Sequence, residues 1–168
     1  ITDKFVEALR PYMKSVSVME LAPGEQTKSF ERYQASMEWI IENGVKRDSI
    51  IFAVGGGVIG DLAGFVAGTI LRGIDFIQVP TTLLSQDDSS VGGKTGINSR
   101  VAKNMVGVFY QPRAVVVDLG TLTTLPRREW LAGYAEIVKY GLLADLEFFE
   151  WLEEHATSVL DGDESFIV

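Results

Sequence analysis

The apolar run SIIFAV (49–54) leads directly into GGGVIGD (55–61) and then LAGFVAGTIL (62–71), and no other stretch constrains the fold as tightly. A short, unbroken apolar run reads as a strand covered on both faces. The pattern from Leu62 to about Leu71 reads as a helix. Between them, Gly55, Gly57 and Gly60 have the spacing G-x-G-x-x-G, and strand–glycine turn–helix is the context that gives this spacing meaning for dinucleotide binding. Gly55 and Gly56 can take backbone angles that side chains forbid. Gly57 lets the chain approach a pyrophosphate, whose charge the helix N-terminus stabilises. Gly64 and Gly68, four apart, let the helix pack closely on a sheet. A glycine turn with only a packing role is the competing explanation.

Further elements alternate in the same way. A helix opens at Ser29-Phe30, with Phe30, Tyr33, Met37, Ile40 and Ile41 as its buried stripe, and ends at Asn43-Gly44. IDFIQV (74–79) and AVVVDL (114–119) read as buried strands, and SVSVMEL (15–21) has strand character after a first helix carrying Phe5, Leu9 and Tyr12. Strands alternating with helices imply an α/β fold with a parallel, Rossmann-like sheet. After TLTTLP the texture becomes helix-only, in REWLAGYAEIVKYGLL and LEFFEWLEEHATSVL. The chain therefore divides into an α/β domain over 1–125 and the start of an all-helical domain over 126–168. The opening ITDKFVEALRPYMK begins inside helical periodicity and the close SFIV is apolar, as if cut from a longer protein.

Charge narrows the partners. A formal net charge of −8 argues against a general nucleic-acid binder, which presents a basic face. With no cysteine, neither disulfides nor thiolate metal sites can form. Uncharged runs reach only about ten residues, short of a membrane span. The expectation is a soluble, cytoplasmic protein that binds small molecules.

The ordinary dinucleotide pattern places an acid at the end of the next strand, about 20 residues on, to hold the ribose. Asp75 has the distance but starts the strand, which ends at Pro80-Thr81-Thr82. Asp61, at the helix start, is the better-placed acid, although the helix dipole alone would favour a carboxylate there. DDSSVGGKTGIN (87–98) reads as a flexible loop with acids and a cation. Lys94-Thr95 after Gly92-Gly93 superficially matches a P-loop, but the first glycine of that motif would fall at Asp88, so the match fails. Arg72 and Lys103-Asn104, in strand-following segments, suit an anionic ligand at the carboxyl ends of the strands, against the alternative of solvated charges. Glu136 and Lys139, three apart, share a helix face. The lone histidine, His155, reads as a solvated helix position, so no complete metal site is visible.

GGGVIGDLAGF, RGIDFIQVPTTLLSQDDSSVGGKTGIN, KNMVGVFYQP and TLTTLPRREWLAGYAEIVKYGLL together resemble the 3-dehydroquinate synthase family of sugar-phosphate cyclases, and PGEQTKS extends the resemblance over nearly the whole chain. The resemblance implies NAD-dependent cyclisation of 3-deoxy-D-arabino-heptulosonate 7-phosphate to 3-dehydroquinate with phosphate release, a homodimer, and a divalent metal, zinc or cobalt. It assigns cofactor contacts to Gly24, Glu25, Lys28, Gly57, Val58, Gly60, Asp61, Thr81, Thr82, Lys103 and the run Thr121, Leu122, Thr123, Thr124. It places Asp88, Lys94, Asn104 and Lys139 around the substrate, with Lys94 also near the nicotinamide. Arg72 corresponds to a phosphate-contacting arginine that can reach the neighbouring subunit's site, and Glu136 to a metal ligand. The family's two metal-binding histidines and its first strand–helix unit have no counterpart in this chain, which implies weak metal binding and no turnover by residues 1–168 alone. Asp87 stands where the family usually has an apolar residue. Sister cyclases acting on sedoheptulose 7-phosphate or glucose 6-phosphate, a related polyol dehydrogenase that fits poorly, and a non-catalytic NAD-binding fragment are the alternatives.

Overall fold

Parallel pairing organises the sheet that the apolar runs build. In the computed structural model, which describes residues 2–163, β1 (Ile50–Gly55) pairs with β2 (Asp75–Pro80) in register from Ile50 opposite Asp75 to Gly55 opposite Pro80. The apolar SFIV close lies outside the described residues. The crossover between these strands is α3 (Gly57–Thr69), which follows α1 (Thr2–Leu9) and α2 (Phe30–Glu42). A third strand, β5 (Ala114–Val115), pairs in parallel with β2 and gives the order β1-β2-β5. The α/β class with a parallel sheet is as the sequence implied.

The core forms where α3 meets the sheet. Leu62, Phe65 and Val66 pack with Ile97, while Ala67 and Ile70 pack with Ile74 and Phe76. Burying a side chain such as Leu62 or Phe76 contributes about 1.5–3 kcal/mol. α2 covers this cluster with Tyr33, Met37 and Ile40, and Tyr33 stacks on Phe65 at 4.6 Å between centroids. Ser29 caps α2 by accepting from the Arg32 amide at 3.2 Å. The outer ends of the expected stripe, Phe30 and Ile41, are half exposed, and Tyr12 beside α1 is largely exposed.

Several expectations need correction. Residues 15–21 form no strand: among the described residues nothing pairs with them, and an extended segment without a ladder partner is not a strand. The strand expected over 114–119 is only two residues long, because Val116 makes one further bond to the Gln78 carbonyl and the chain then turns away. The helix expected from Leu62 starts at Gly57. Glycine is a poor helix former, yet a Cβ at Gly57 would lie 2.8 Å from Ser89 Oγ and one at Gly60 3.2 Å from Gln78 Oε1, so close packing fixes these positions. Finally, 87–98 is not a flexible loop. Ser85–Ser89 form a π-helical turn, and β3 (Lys94–Ile97) pairs antiparallel with β4 (Val106–Phe109). That hairpin, together with Phe76 of β2, is what Gly64 and Gly68 of α3 pack against, through Thr95, Val108 and Tyr110.

Two helices close the described chain, α4 (Arg127–Ala144) and α5 (Leu146–Leu160). Trp130 of α4 packs with Leu83 and Leu122, joining α4 to the segment after β2. His155 is half-buried, not solvated, with its ring 4.7 Å from that of Trp151. No helix among the described residues is long and apolar enough to cross a membrane.

Candidate cofactor and substrate site

The parallel register brings the carboxyl ends of β1 and β2 side by side, and the Thr81 amide donates to the Gly55 carbonyl at 3.0 Å. The glycine turn, Thr81-Thr82 and the turn Leu119–Thr124 therefore share one edge of the sheet. Gln86, which sequence reasoning missed, joins them: its Nε2 donates to the carbonyls of Pro80 (3.1 Å) and Asp118 (3.3 Å) and to Thr121 Oγ1 (3.1 Å). Thr82 is held through its Oγ1 at 2.8 Å from Ser85 Oγ. At this edge α3 begins without any side-chain cap. The first amides of an uncapped helix have no intrahelical partner and carry the positive end of its dipole.

Around the side of α3 lies a polar corner built from three distant segments. Lys28 is only 4% exposed. Its ammonium donates to Asp61 Oδ2 and to Asn104 Oδ1, each at 2.5 Å. Asp61 is the fifth residue of α3, and Asn104 sits in a left-handed turn with φ of 55°. Glu25 accepts from Asn98 Nδ2 at 2.7 Å, and Asn98 Oδ1 accepts from the Asn104 amide at 2.8 Å. Burial pushes the Asp61 carboxyl above the usual aspartate range, and the Lys28 hydrogen bond opposes this without cancelling it. Glu25, Lys28, Asp61 and Asn104 are thus brought together. In the sequence Asn98 only ends the run DDSSVGGKTGIN; its part in the corner is invisible until β3 is known to be a strand.

A second cluster forms where α4 crosses the turn Ser85–Ser89. The Tyr140 hydroxyl donates to Asp88 Oδ1 at 3.1 Å, and Lys139 forms an ion pair with Glu136 on the same helix face. The Lys139 ammonium also lies 4.9 Å from the centre of the Tyr140 ring. Asp87 Oδ2 is buried without a hydrogen-bond partner among the described residues; burial first, and the adjacent Asp88 second, push its carboxyl up against the pull of Lys139. Asp88, Glu136 and Lys139 therefore share one locality.

Other positions stand apart. Lys94, Lys103 and Arg72 are exposed and make no ion pair among the described residues. Arg72 sits in a run of left-handed residues, Leu71 (φ 50°), Arg72 (φ 66°) and Gly73 (φ 117°). A side chain in that region costs about 1 kcal/mol or more. Leu122 is a core residue, Thr123 bonds back to the Gly120 carbonyl, and Thr124 is exposed. Gly24, with φ of 106°, opens the turn that carries Glu25 and Lys28, and Val58 lies in the first turn of α3. Asp75, dismissed as a ribose ligand, pairs with Arg113 at 2.8 Å at the opposite end of its strand.

The dinucleotide fits the donor set, which combines the uncapped start of α3 with a buried cation bonded to Asp61 on the same helix. The metal does not. Among the described residues no group of three His, Cys, Asp or Glu side chains is placed to hold an ion, and Glu136 already has Lys139 as its partner.

A parallel α/β sheet with a glycine turn and polar loops at one edge defines the nucleotide-binding class of α/β proteins. Comparison narrows it. The fold matches 2-epi-5-epi-valiolone synthase from Streptomyces hygroscopicus subsp. jinggangensis 5008, solved with NAD+ and Zn2+ bound, with a TM-score of 0.90 at 30% identity over 96% of this chain and 45% of that one. It also matches 2-deoxy-scyllo-inosose synthase complexed with carbaglucose-6-phosphate, NAD+ and Co2+, with a TM-score of 0.79 at 37% identity over 83% of this chain and 38% of that one. The 3-dehydroquinate synthase N-terminal family model matches residues 18–132, and the chain belongs to that family. The 3-dehydroquinate synthase of Idiomarina loihiensis is 53% identical over 160 residues, which is 92% of this chain and 45% of that protein. The chain spans less than half the length of the curated relatives it matches.

Proposed function

We propose that this chain is the cofactor-binding part of a 3-dehydroquinate synthase, which cyclises 3-deoxy-D-arabino-heptulosonate 7-phosphate to 3-dehydroquinate and releases phosphate. The observation that carries this reading is the Lys28 ammonium, buried and shared between Asp61 behind the glycine turn and Asn104 of the hairpin loop. It ties the segment suited to NAD to the segment suited to a phosphorylated sugar acid. The NAD+ of the related cyclases supports the same assignment.

NAD+, when bound, would supply a reversible hydride acceptor for a secondary hydroxyl of the substrate. The residues of this chain do the rest by position and charge. Amides of Gly57 and Val58 bind the pyrophosphate at the start of α3, and Gly24, Glu25, Lys28, Gly60, Asp61, Thr81, Thr82, Lys103 and 121–124 complete the cofactor's surroundings. Lys94 and Arg72, which make no ion pair among the described residues, attract the substrate's phosphate and carboxylate. Asp88, Asn104 and Lys139 hold its hydroxyls. Glu136, paired with Lys139, offers a single carboxylate, which by itself does not make a metal site. Residues 126–168 begin a helical domain, the full protein is a homodimer, and its compartment is the cytoplasm.

Calorimetric titration of the chain with NAD+ tests the cofactor assignment, with saturable binding expected. Phosphate release by the protein that carries this chain, given the heptulosonate phosphate, NAD+ and zinc or cobalt, tests the reaction. Sedoheptulose 7-phosphate and glucose 6-phosphate in the same assay test the sister cyclases. Turnover of either in place of the heptulosonate would overturn the assignment.

A further inference from the structure

We propose that Asn98 is the positioning residue of the cofactor corner, holding Glu25 and the Asn104 turn so that Lys28 is presented between Asp61 and Asn104. The inference rests on the corner being an NAD site, as proposed above.

Asn98 directly follows β3, and it meets three of the corner's four members. Its backbone amide donates to the Lys28 carbonyl at 2.9 Å. Its Nδ2 donates to Glu25 Oε1 at 2.7 Å, and its Oδ1 accepts from the Asn104 amide at 2.8 Å. The fourth member, Asp61, is reached through Lys28. A carboxylate on one side and an N–H on the other demand a donor and an acceptor on one short, planar group, which only a side-chain amide provides. The opposite orientation of that amide would set oxygen against oxygen at Glu25 and N–H against N–H at Asn104, so the partners fix the orientation.

The Asn104 turn needs this support. Its φ of 55° is a left-handed conformation that asparagine tolerates better than most residues but does not prefer. The bond from its amide to Asn98 closes the loop 99–103 and aims its side chain at Lys28. Because β3 pairs with β4 and packs under Gly64 of α3, Asn98 is anchored to the rigid part of the fold. The corner thus inherits its geometry from the hairpin. Asn98 itself need not touch the cofactor.

Three variants of the chain test this: Asn98→Asp, Glu25→Gln, and the two combined. Asn98→Asp keeps the acceptor for Asn104 but faces Glu25 with a second carboxylate, so NAD+ affinity by calorimetry should fall about tenfold, the scale of losing an orienting partner. Glu25→Gln restores a donor across that gap. The combined variant should therefore bind NAD+ within about twofold of Glu25→Gln alone, whereas an equal loss in both backgrounds would overturn the proposal. A second readout needs no cofactor. Asn98→Ala should speed hydrogen exchange of the Asn104 amide about tenfold or more in NMR, and unchanged exchange would also overturn it. If the unaltered chain does not bind NAD+, the function proposed above fails, and the exchange result alone decides the role of Asn98.

Discussion

Lys28 is a buried cation whose nearest acidic partner is itself mostly buried, and that arrangement makes it unequal to the other charges of the molecule. The pairs Arg113–Asp75 and Arg127–Asp161 have side chains 45% or more exposed, where ion pairs contribute about 0–1 kcal/mol. Asp61 retains 21% exposure, and removing Lys28 leaves its charge without a partner in a poorly solvated place. Lys28→Met should destabilise the chain by about 3 kcal/mol, the low end for a broken buried pair. Adding Asp61→Asn should recover a large part of that loss, read as the midpoint of urea unfolding. A single variant as stable as the parent would show that the pair is solvated. The pH dependence has a definite sign. The folded Asp61 binds its proton more tightly than the unfolded one, so this residue's contribution to stability is fully present below the ordinary aspartate value of about 4 and is lost as pH rises through the raised folded value. The stability difference between the parent and Asp61→Asn should therefore shift against the parent as pH climbs from about 4 toward neutrality. A difference that is flat, or that moves the other way, would contradict the desolvation of Asp61.

Among the elements, the β3–β4 hairpin does the most to place functional groups, and it does so by lying directly on α3. A Cβ at Gly64 would overlap Thr95 Cγ2 and approach Phe76 Cζ to 3.2 Å. Gly64→Ala should cost about 2 kcal/mol through overpacking. Thr95→Ser removes the clashing methyl and keeps the hydroxyl bond to the Val108 carbonyl, so the double variant should regain much of the loss in thermal midpoint. No recovery would mean that α3 and the hairpin yield elsewhere. This contact also explains what could and could not be read from the chain. The periodicity of β1, α3 and β2 is strong because those elements bury long apolar runs, and α4 and α5 announce themselves by the helical period. KTGI and VGVF are four residues each and rich in glycine, so their pairing leaves almost no pattern. Asp88, Glu136 and Lys139 were legible together only through the family resemblance, since 48 residues separate Asp88 from Glu136. Asn98 and Gln86 were missed because their roles consist of hydrogen bonds between loops, which no periodicity encodes.

At the scale of the whole molecule, apolar surface is unevenly covered. Leu142, Leu143 and Leu146, where α4 meets α5, are each 65% or more exposed, and Val115, Val116 and Val117 lie open beside β5. Patches of this kind mark surfaces that pack against something else, which accords with a chain spanning less than half of its curated relatives. The polar corner has another character: it gathers around the buried Lys28, and its bonds join residues far apart in sequence. Lys28 lies 33 residues from Asp61 and 76 from Asn104, and Glu25 lies 73 from Asn98. Closing loops of that length before any contact rewards them is slow, so the corner belongs to the last stage of folding, after β1, α3 and β2 have assembled. A ligand seated there acts on contacts that the transition state lacks, and such contacts govern escape from the native state, not entry to it. Saturating NAD+ should therefore lower the unfolding limb of a denaturant chevron and leave the refolding limb where it was. Faster refolding with NAD+ would show that the corner forms early. If the corner holds the cofactor as proposed, the buried lysine acts as a latch on lifetime: occupancy sets how long the fold persists, and the speed of its formation is set elsewhere.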